Sequence, residues 1–169
     1  ELDISGNQIK ILEDLKRNNA IETLIADRNH LSSVEGLGNL NNLQWLSLGE
    51  NEIVDLNGLS QLNELTSLSL FRNSIQDITP LKGLTELEYL DLDGNKVTDL
   101  EALAGYEKLN TLLVSGNGIK SISPLGEIAS LAYLYANDNE ISDITPLAGL
   151  KMQDGEIELA GNNLKDLSP

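Results

Sequence analysis

Oxygen-bearing side chains alternate in the segment DLDGN, from Asp91 to Asn95. A twelve-residue calcium loop begins in this way, because carboxylate and amide oxygens at alternate positions ligate the ion. The rest of that pattern is missing, since Lys96 stands where the loop needs a glycine and Ala102 where it needs a bidentate glutamate. The sequence therefore predicts no metal ion and no other cofactor at this segment.

A catalytic nucleophile is the other chemistry that the residue types suggest. His30 is the only histidine, and Asp27, Ser32 and Ser33 lie close to it in the sequence. A catalytic triad needs a serine that is activated by a histidine, which an acid in turn orients. His30 occupies a position that the repeat described next leaves exposed, so we interpret it as a surface residue. We predict that the chain is not an enzyme.

Asparagines recur at a fixed interval along the whole chain. Seven are spaced 22 residues apart, and an eighth follows after 23: Asn7, Asn29, Asn51, Asn73, Asn95, Asn117, Asn139 and Asn162. When Leu65 is counted as place 1 of a repeat, the asparagine is at place 9 and apolar residues occupy places 1, 4, 6, 11, 14, 17 and 20. Self-similarity at such a period predicts a solenoid, in which each repeat packs only on its neighbours.

Each repeat is predicted to contain one strand and one short helical turn. Places 4 and 6 should point inward, and places 3, 5 and 7 should point outward, so that stacked repeats form a parallel sheet with one open face. The segment DITPL, from Asp77 to Leu81, predicts a capped 3₁₀ turn, since aspartate caps free N–H groups and proline suits a first helical turn. Acids recur at this capping position, place 13: Asp55, Asp77, Asp99, Asp143 and Asp166.

The two ends of the chain are less regular than its middle. Asn18 takes place 20 of the first repeat, where other repeats carry an apolar residue, so we expect a looser corner there. The last repeat gains one residue in the segment KMQDG, and no capping segment is recognisable at either end. We expect residues 1–169 to form a single domain of about 7.5 repeats, with the first and last partial. Because a solenoid needs capping repeats, we expect this domain to be a fragment whose flanking segments are missing.

Composition limits the classes of partner. The chain has 27 acidic and 11 basic residues, a net charge of −16, which would repel phosphate backbones and anionic lipids. No segment approaches the 18 or so apolar residues of a membrane span, and the chain has no cysteine for disulfides or thiolate chemistry. We therefore expect neither nucleic acid nor membrane insertion, and we expect a monomer.

The repeat L-x-x-L-x-L-x-x-N-x-[IVL] resembles the leucine-rich repeat along essentially the whole chain. This resemblance implies an α/β solenoid, a right-handed superhelix with a concave parallel sheet and short 3₁₀ or helical turns on the convex side. The length of 22 residues and the segment N-x-I-x-D-I-[TS]-P-L are most similar to the internalin-type repeats of bacterial surface proteins. That similarity implies a protein partner on the concave face and favours an extracellular or bacterial cell-surface location.

Aromatic residues are the irregular feature within this regular frame. Of the six, only Tyr106 falls on a core place, at place 20. The other five are at outward places of the strands: Trp45, Phe71, Tyr89, Tyr133 and Tyr135. Aromatic residues also pack on one another across strands, but exposed aromatic patches commonly mark contact sites. We predict that these five bind a partner, together with apolar Ile25 and Leu113 and a charged rim of Arg28, Arg72, Asp27, Asp91 and Asp93.

Two alternative functions remain open from the sequence. Trp45, Tyr89 and Tyr133 occupy place 3 of alternate repeats, about 9.6 Å apart, and flat rings at that spacing could stack on successive sugars of a glycan. A repeat of the same length occurs in an intracellular regulator of type-1 protein phosphatase, so a regulatory scaffold is the second alternative. Pro80, Pro124 and Pro146 at place 16 favour the bacterial type.

Overall fold

The eight strands form one parallel sheet in chain order. A computed structural model describes residues 1–150 and 155–165. The strands are β1 (Leu2–Asp3), β2 (Thr23–Ile25), β3 (Trp45–Ser47), β4 (Ser67–Ser69), β5 (Tyr89–Asp91), β6 (Thr111–Leu113), β7 (Tyr133–Tyr135) and β8 (Glu156–Glu158). Each strand pairs with the next at an offset of one repeat, so that Leu24, Leu46 and Leu68 lie side by side. The predicted α/β solenoid is confirmed.

Six 3₁₀ helices follow the strands within the described residues. They are Glu13–Arg17, Asn57–Leu59, Thr79–Leu81, Glu101–Leu103, Ser123–Glu127 and Thr145–Gly149. The place-13 aspartates lie one residue before the helix cap and do accept a free N–H group: the carboxylate of Asp77 accepts the backbone N–H of Thr79 at 2.8 Å, and Asp55, Asp99 and Asp143 each accept the N–H two residues on. The hydrogen bonds from Thr79 lower the pKa of Asp77. Asp166 and most of the KMQDG segment lie outside the described residues.

The core is a continuous column of the predicted apolar places. In the central repeat, the side chains from Leu65 to Leu84 at places 1, 4, 6, 11, 14, 17 and 20 are all buried. Tyr106 is buried as predicted, and its hydroxyl donates to the carbonyl oxygen of Leu81, one repeat earlier, at 2.5 Å. Apolar burial joins each repeat to its neighbour, and this bond adds a polar link between two of them.

The place-9 asparagines form a ladder of hydrogen bonds between repeats. The Nδ2 of Asn95 donates to the carbonyl oxygens of Leu70 and Leu92, each at 3.0 Å. Its Oδ1 accepts the backbone N–H of Ile75 at 3.0 Å. Because Leu70 and Ile75 belong to the preceding repeat, Asn95 joins two repeats, and the other place-9 asparagines from Asn29 to Asn162 do the same, whereas Asn7 bonds only its own repeat. The predicted pairing of these amides with backbone groups is confirmed.

Place 8, just before each asparagine, has a left-handed backbone in every repeat. Four of these positions are glycine, namely Gly6, Gly94, Gly116 and Gly161. The other four are Arg28, Glu50, Arg72 and Asp138, with φ between 51° and 54°. The strand must turn sharply here, and only glycine adopts this conformation without a steric cost. Arg28 and Arg72, predicted as rim residues, therefore have a left-handed backbone. The glycines that recur at place 8 are the sequence signal for this conformation.

The first repeat is less buried than the central repeats. Asn18 is exposed where other repeats place an apolar side chain, and the side chain of Ile11 is 70% exposed. Leu12 is buried, whereas Leu2, Ile4, Ile9 and Leu15 are only partly buried. This exposure agrees with the expected weak corner, and its looseness in solution stays a prediction. No helix among the described residues is long and apolar enough to cross a membrane.

Candidate functional site

The register of the sheet places three aromatic residues in one row across the concave face. Place 3 of β3 to β7 reads Trp45, Ser67, Tyr89, Thr111 and Tyr133, each paired directly with the next. Rings therefore alternate with small hydroxyl residues, and successive rings are two strand spacings apart, about 9.6 Å. The structure brings together the row that the repeat spacing predicts.

The three rings of this row differ in exposure. The side chain of Trp45 is 51% exposed and that of Tyr133 is 36% exposed, among the most exposed large apolar residues described. Tyr89 is half-buried, and burial raises the pKa of its hydroxyl to about 12, with smaller contributions from the charges of Asp91 and Asp93. Of the three rings, that of Trp45 therefore presents the largest exposed surface among the described residues.

Small residues beneath the rings form the floor of the face. Ser47 and Ser67 are buried although both are at outward places. A Cβ added to Gly49 would come within 2.0 Å of the ring of Phe71, which shows that this ring lies across the glycine. Phe71 thus also packs within the sheet, a contact that strand alternation does not reveal.

Asp91 and Asp93 are drawn into the sheet beside Tyr89. Asp91 is only 8% exposed, and it accepts hydrogen bonds from Ser69 Oγ at 3.2 Å and from the backbone N–H of Asp93 at 3.0 Å. Asp93 accepts the N–H of Ser115 at 2.6 Å. Burial raises the pKa of Asp91, and burial raises that of Asp93 to about 6. The proposed rim residue Asp91 is therefore a buried group.

The two arginines of the predicted rim form no ion pair with these carboxylates among the described residues, although Arg72 is next to Asp93. The guanidinium of Arg72 pairs with Glu50 of the preceding repeat at 2.8 Å. Arg28 is exposed, and its charge contributes to lowering the pKa of Asp3, for which hydrogen bonds from Ser5 are the main cause. The rim set is thus divided, and no ion pair found among the described residues includes Asp91 or Asp93.

The remaining predicted site residues lie along place 5 and place 7. Ile25, Leu113 and Tyr135 are half-buried in the place-5 row, and the hydroxyl of Tyr135 donates to Glu156 at 2.8 Å. That hydrogen bond raises the pKa of Tyr135. Asp27 at place 7 accepts from Ser47 Oγ and from the backbone N–H of Gly49, each at 2.7 Å. These contacts hold the floor of the face in one conformation.

The catalytic and calcium candidates are not assembled in the described residues. Nδ1 of His30 lies 3.2 Å from Glu52, and this exposed pair does not include Asp27 or either nearby serine. The amide of Asn95 is committed to the backbone ladder, so its oxygen is not available to a cation. Across residues 1–150 and 155–165, no three acidic or histidine side chains are grouped as a metal site requires.

Comparison with known proteins gives the family. The model of the family Leucine Rich repeats (2 copies) matches residues 41–82 and 63–105. The fold superimposes on internalin C2 from Listeria monocytogenes with a TM-score of 0.95 and 32% identity, covering 99% of this chain and 74% of that protein. The chain belongs to the internalin family of leucine-rich-repeat proteins.

Two further structures extend the internalin comparison. Internalin F from Listeria monocytogenes matches with a TM-score of 0.95 and 30% identity over 99% of this chain and 49% of that one. A leucine-rich-repeat protein of Leptospira interrogans shares the fold, with a TM-score of 0.77 at 23% identity over 97% of this chain and 49% of that one. None of the curated proteins compared with the chain matches it. The resemblance to internalin repeats is therefore confirmed on structural grounds.

Proposed function

We propose that this internalin-type chain binds a protein partner on its concave face, as a monomer. The fold supports a protein-interaction module in general. The observation that carries the choice of face is the aligned row of Trp45, Tyr89 and Tyr133, in which the side chain of Trp45 is 51% exposed. Aromatic anchors of this kind concentrate binding energy at interfaces.

The floor of the face supports the same proposal because it is already fixed before a partner arrives. Phe71 covers Gly49, and Asp27 holds both Ser47 and the backbone of Gly49. A partner that binds to such a preorganised surface loses little conformational entropy of the protein. The aromatic rings then need not change conformation when a partner binds.

Site-specific photocrosslinking tests the choice of face. A benzophenone amino acid replaces Thr111, which lies between Tyr89 and Tyr133, and in a matched variant it replaces Lys82, which is exposed beyond the 3₁₀ helix Thr79–Leu81. Each variant is irradiated in a protein extract and in a glycan mixture. We expect a protein adduct from position 111 and none from position 82.

Two outcomes would contradict the proposal. A protein adduct from position 82 alone would place the partner on the convex side. A glycan adduct from position 111, with no protein adduct, would assign the aromatic row to sugar stacking instead. Size-exclusion chromatography with light scattering checks the monomer, and a concentration-dependent dimer would contradict that part.

A further inference from the structure

The outward strand positions of the concave face carry charge of only one sign. These 24 positions, at places 3, 5 and 7 of the eight strands, all lie in the described part of the chain. None of them is lysine, arginine or histidine, whereas seven are acidic: Glu1, Asp3, Asp27, Asp91, Asp93, Glu156 and Glu158. A partner that approaches this face meets a negative field, which favours a positively charged surface.

The centre of this field is the pair Asp91 and Asp93. These carboxylates have lost much of their hydration, and their hydrogen bonds come from neutral donors, namely Ser69 and the backbone N–H groups of Asp93 and Ser115. Burying a carboxylate without a cation is costly, and a cation that binds there recovers part of the cost. Arg72, the nearest arginine, is held by Glu50 and so leaves the pair without a counterion.

Aromatic rings flank the same carboxylates. Phe71, Arg72, Asp91, Asp93 and Gly94 line one shallow recess, which we call the acidic recess. Tyr89 is two residues before Asp91 on β5, so the side chains of both residues point to the same face of the sheet. Lysine and arginine bind favourably where a ring face and a carboxylate are presented together, because the aliphatic stem and the charge are both accommodated.

We propose that the acidic recess takes a lysine or arginine side chain of a basic protein segment that lies along the concave face. This inference rests on the proposed function and specifies the chemistry of the partner. The segment packs apolar residues on Trp45 and Tyr133, while its basic side chain enters beside Phe71 and Tyr89 and pairs with Asp91 and Asp93. Two strand spacings separate neighbouring rings, so the basic residue lies between two apolar anchors.

A library of random twelve-residue displayed peptides provides a defined probe. The library is selected at low salt on the whole chain, and enriched peptides are synthesised and titrated by fluorescence anisotropy. The test variant is Asp91→Asn with Asp93→Asn, which keeps the size of both side chains and one acceptor oxygen on each while removing both charges. Its matched control is Glu101→Gln with Glu107→Gln, which removes the same amount of charge at exposed positions away from the sheet. Circular dichroism confirms that both variants are folded.

The expected result has three parts. Enriched peptides contain lysine or arginine, the double asparagine variant binds them about tenfold or more weakly, and the glutamine control changes affinity by less than about threefold. Replacing the basic residue of the peptide by norleucine weakens binding to the wild-type chain by a similar factor. That replacement has little further effect on binding to the double asparagine variant, because the two changes remove the same interaction.

Other outcomes of the experiment distinguish a failure of this inference from a failure of the proposed function. Enriched peptides that lack basic residues but lose binding in Trp45→Ala would overturn the inference and leave the concave face as the binding surface. Peptides that are insensitive both to Trp45→Ala and to the double asparagine variant would overturn both. If no peptide is enriched, the inference fails, and the photocrosslinking experiment alone decides the proposed function.

Discussion

Replacing Asn95 by alanine removes four hydrogen bonds, and its cost in stability depends on which partners keep another bond. The carbonyl oxygen of Leu70 also accepts from Asn73, and that of Leu92 also accepts from Asn117. Both carbonyls therefore keep one asparagine donor in the variant. Loss of one asparagine therefore leaves no carbonyl oxygen of Leu70 or Leu92 without a donor.

The backbone N–H of Ile75 has no such substitute. Its partner is Oδ1 of Asn95 at 3.0 Å, and it lies in the buried part of the ladder. A buried donor left without an acceptor costs about 1–3 kcal/mol, so Asn95→Ala should lower the free energy of unfolding by about that amount. Asn95→Asp should cost more, because a buried charged oxygen would then face the carbonyls of Leu70 and Leu92.

Urea unfolding followed by circular dichroism measures these losses through the midpoint and slope of each transition. Lys96→Ala is the matched control, since Lys96 is adjacent and exposed. We expect a change of less than about 0.5 kcal/mol for this control. Equal, small losses for Asn95→Ala and Lys96→Ala would refute the structural role of the ladder. An aspartate variant as stable as wild type would refute the assigned orientation of the amide.

Three further predictions concern backbone strain, buried charge and the convex side. Gly116→Ala should lose about 1 kcal/mol of stability, because alanine is strained at φ 65°. Its control is Gly83→Ala, which should lose none because a Cβ at this position meets open space, and equal thermal midpoints of the two variants would contradict the prediction. Asp93→Asn should stabilise the protein by about 1 kcal/mol at pH 8, a figure that allows for solvent screening of this half-buried group. Burial raises the pKa of Asp93 to about 6, so above that pH the folded wild type bears the cost of a partly desolvated charge, which the variant lacks. That gain should disappear as the pH falls to about 4, where the folded wild type is protonated, and a gain independent of pH in urea titrations would exclude the carboxylate charge as its cause. Tyr106→Phe should cost about 1–2 kcal/mol by leaving the carbonyl oxygen of Leu81 without this donor, and an unchanged urea midpoint would show that the bond contributes nothing.

Much of the fold could be predicted because it depends on short-range regularity. The core places repeat every 22 residues, and a strand with alternate apolar residues has only one way to bury them. The ladder of asparagines follows from the same period, since one polar residue recurring next to a turn must satisfy backbone groups there. The left-handed backbone at place 8 was harder to predict, because Arg28 and Arg72 occupy positions where Gly94 and Gly116 show the preference.

The sequence predicts which aromatic residues align across the strands, but it does not predict which outward side chains are exposed. Strand alternation places Phe71 and Asp91 outward, yet the ring of Phe71 lies across Gly49 and Asp91 is buried beside Ser69. Whether an outward residue is exposed depends on the sizes of its neighbours in the adjacent repeats, and on the direction in which each ring tilts. That information lies in the packing between repeats rather than in the period of any one of them.

Binding to the concave face is the central claim, and titration of an isolated protein partner tests it most directly. Affinities are measured for the wild-type chain, Trp45→Ala, Tyr89→Ala and the convex variant Lys82→Ala, after thermal unfolding has confirmed that all four are folded. We predict that each aromatic variant weakens binding by about 1–4 kcal/mol and that Lys82→Ala binds as the wild type does. Unchanged affinity in both aromatic variants, or loss of binding in Lys82→Ala, would contradict the claim.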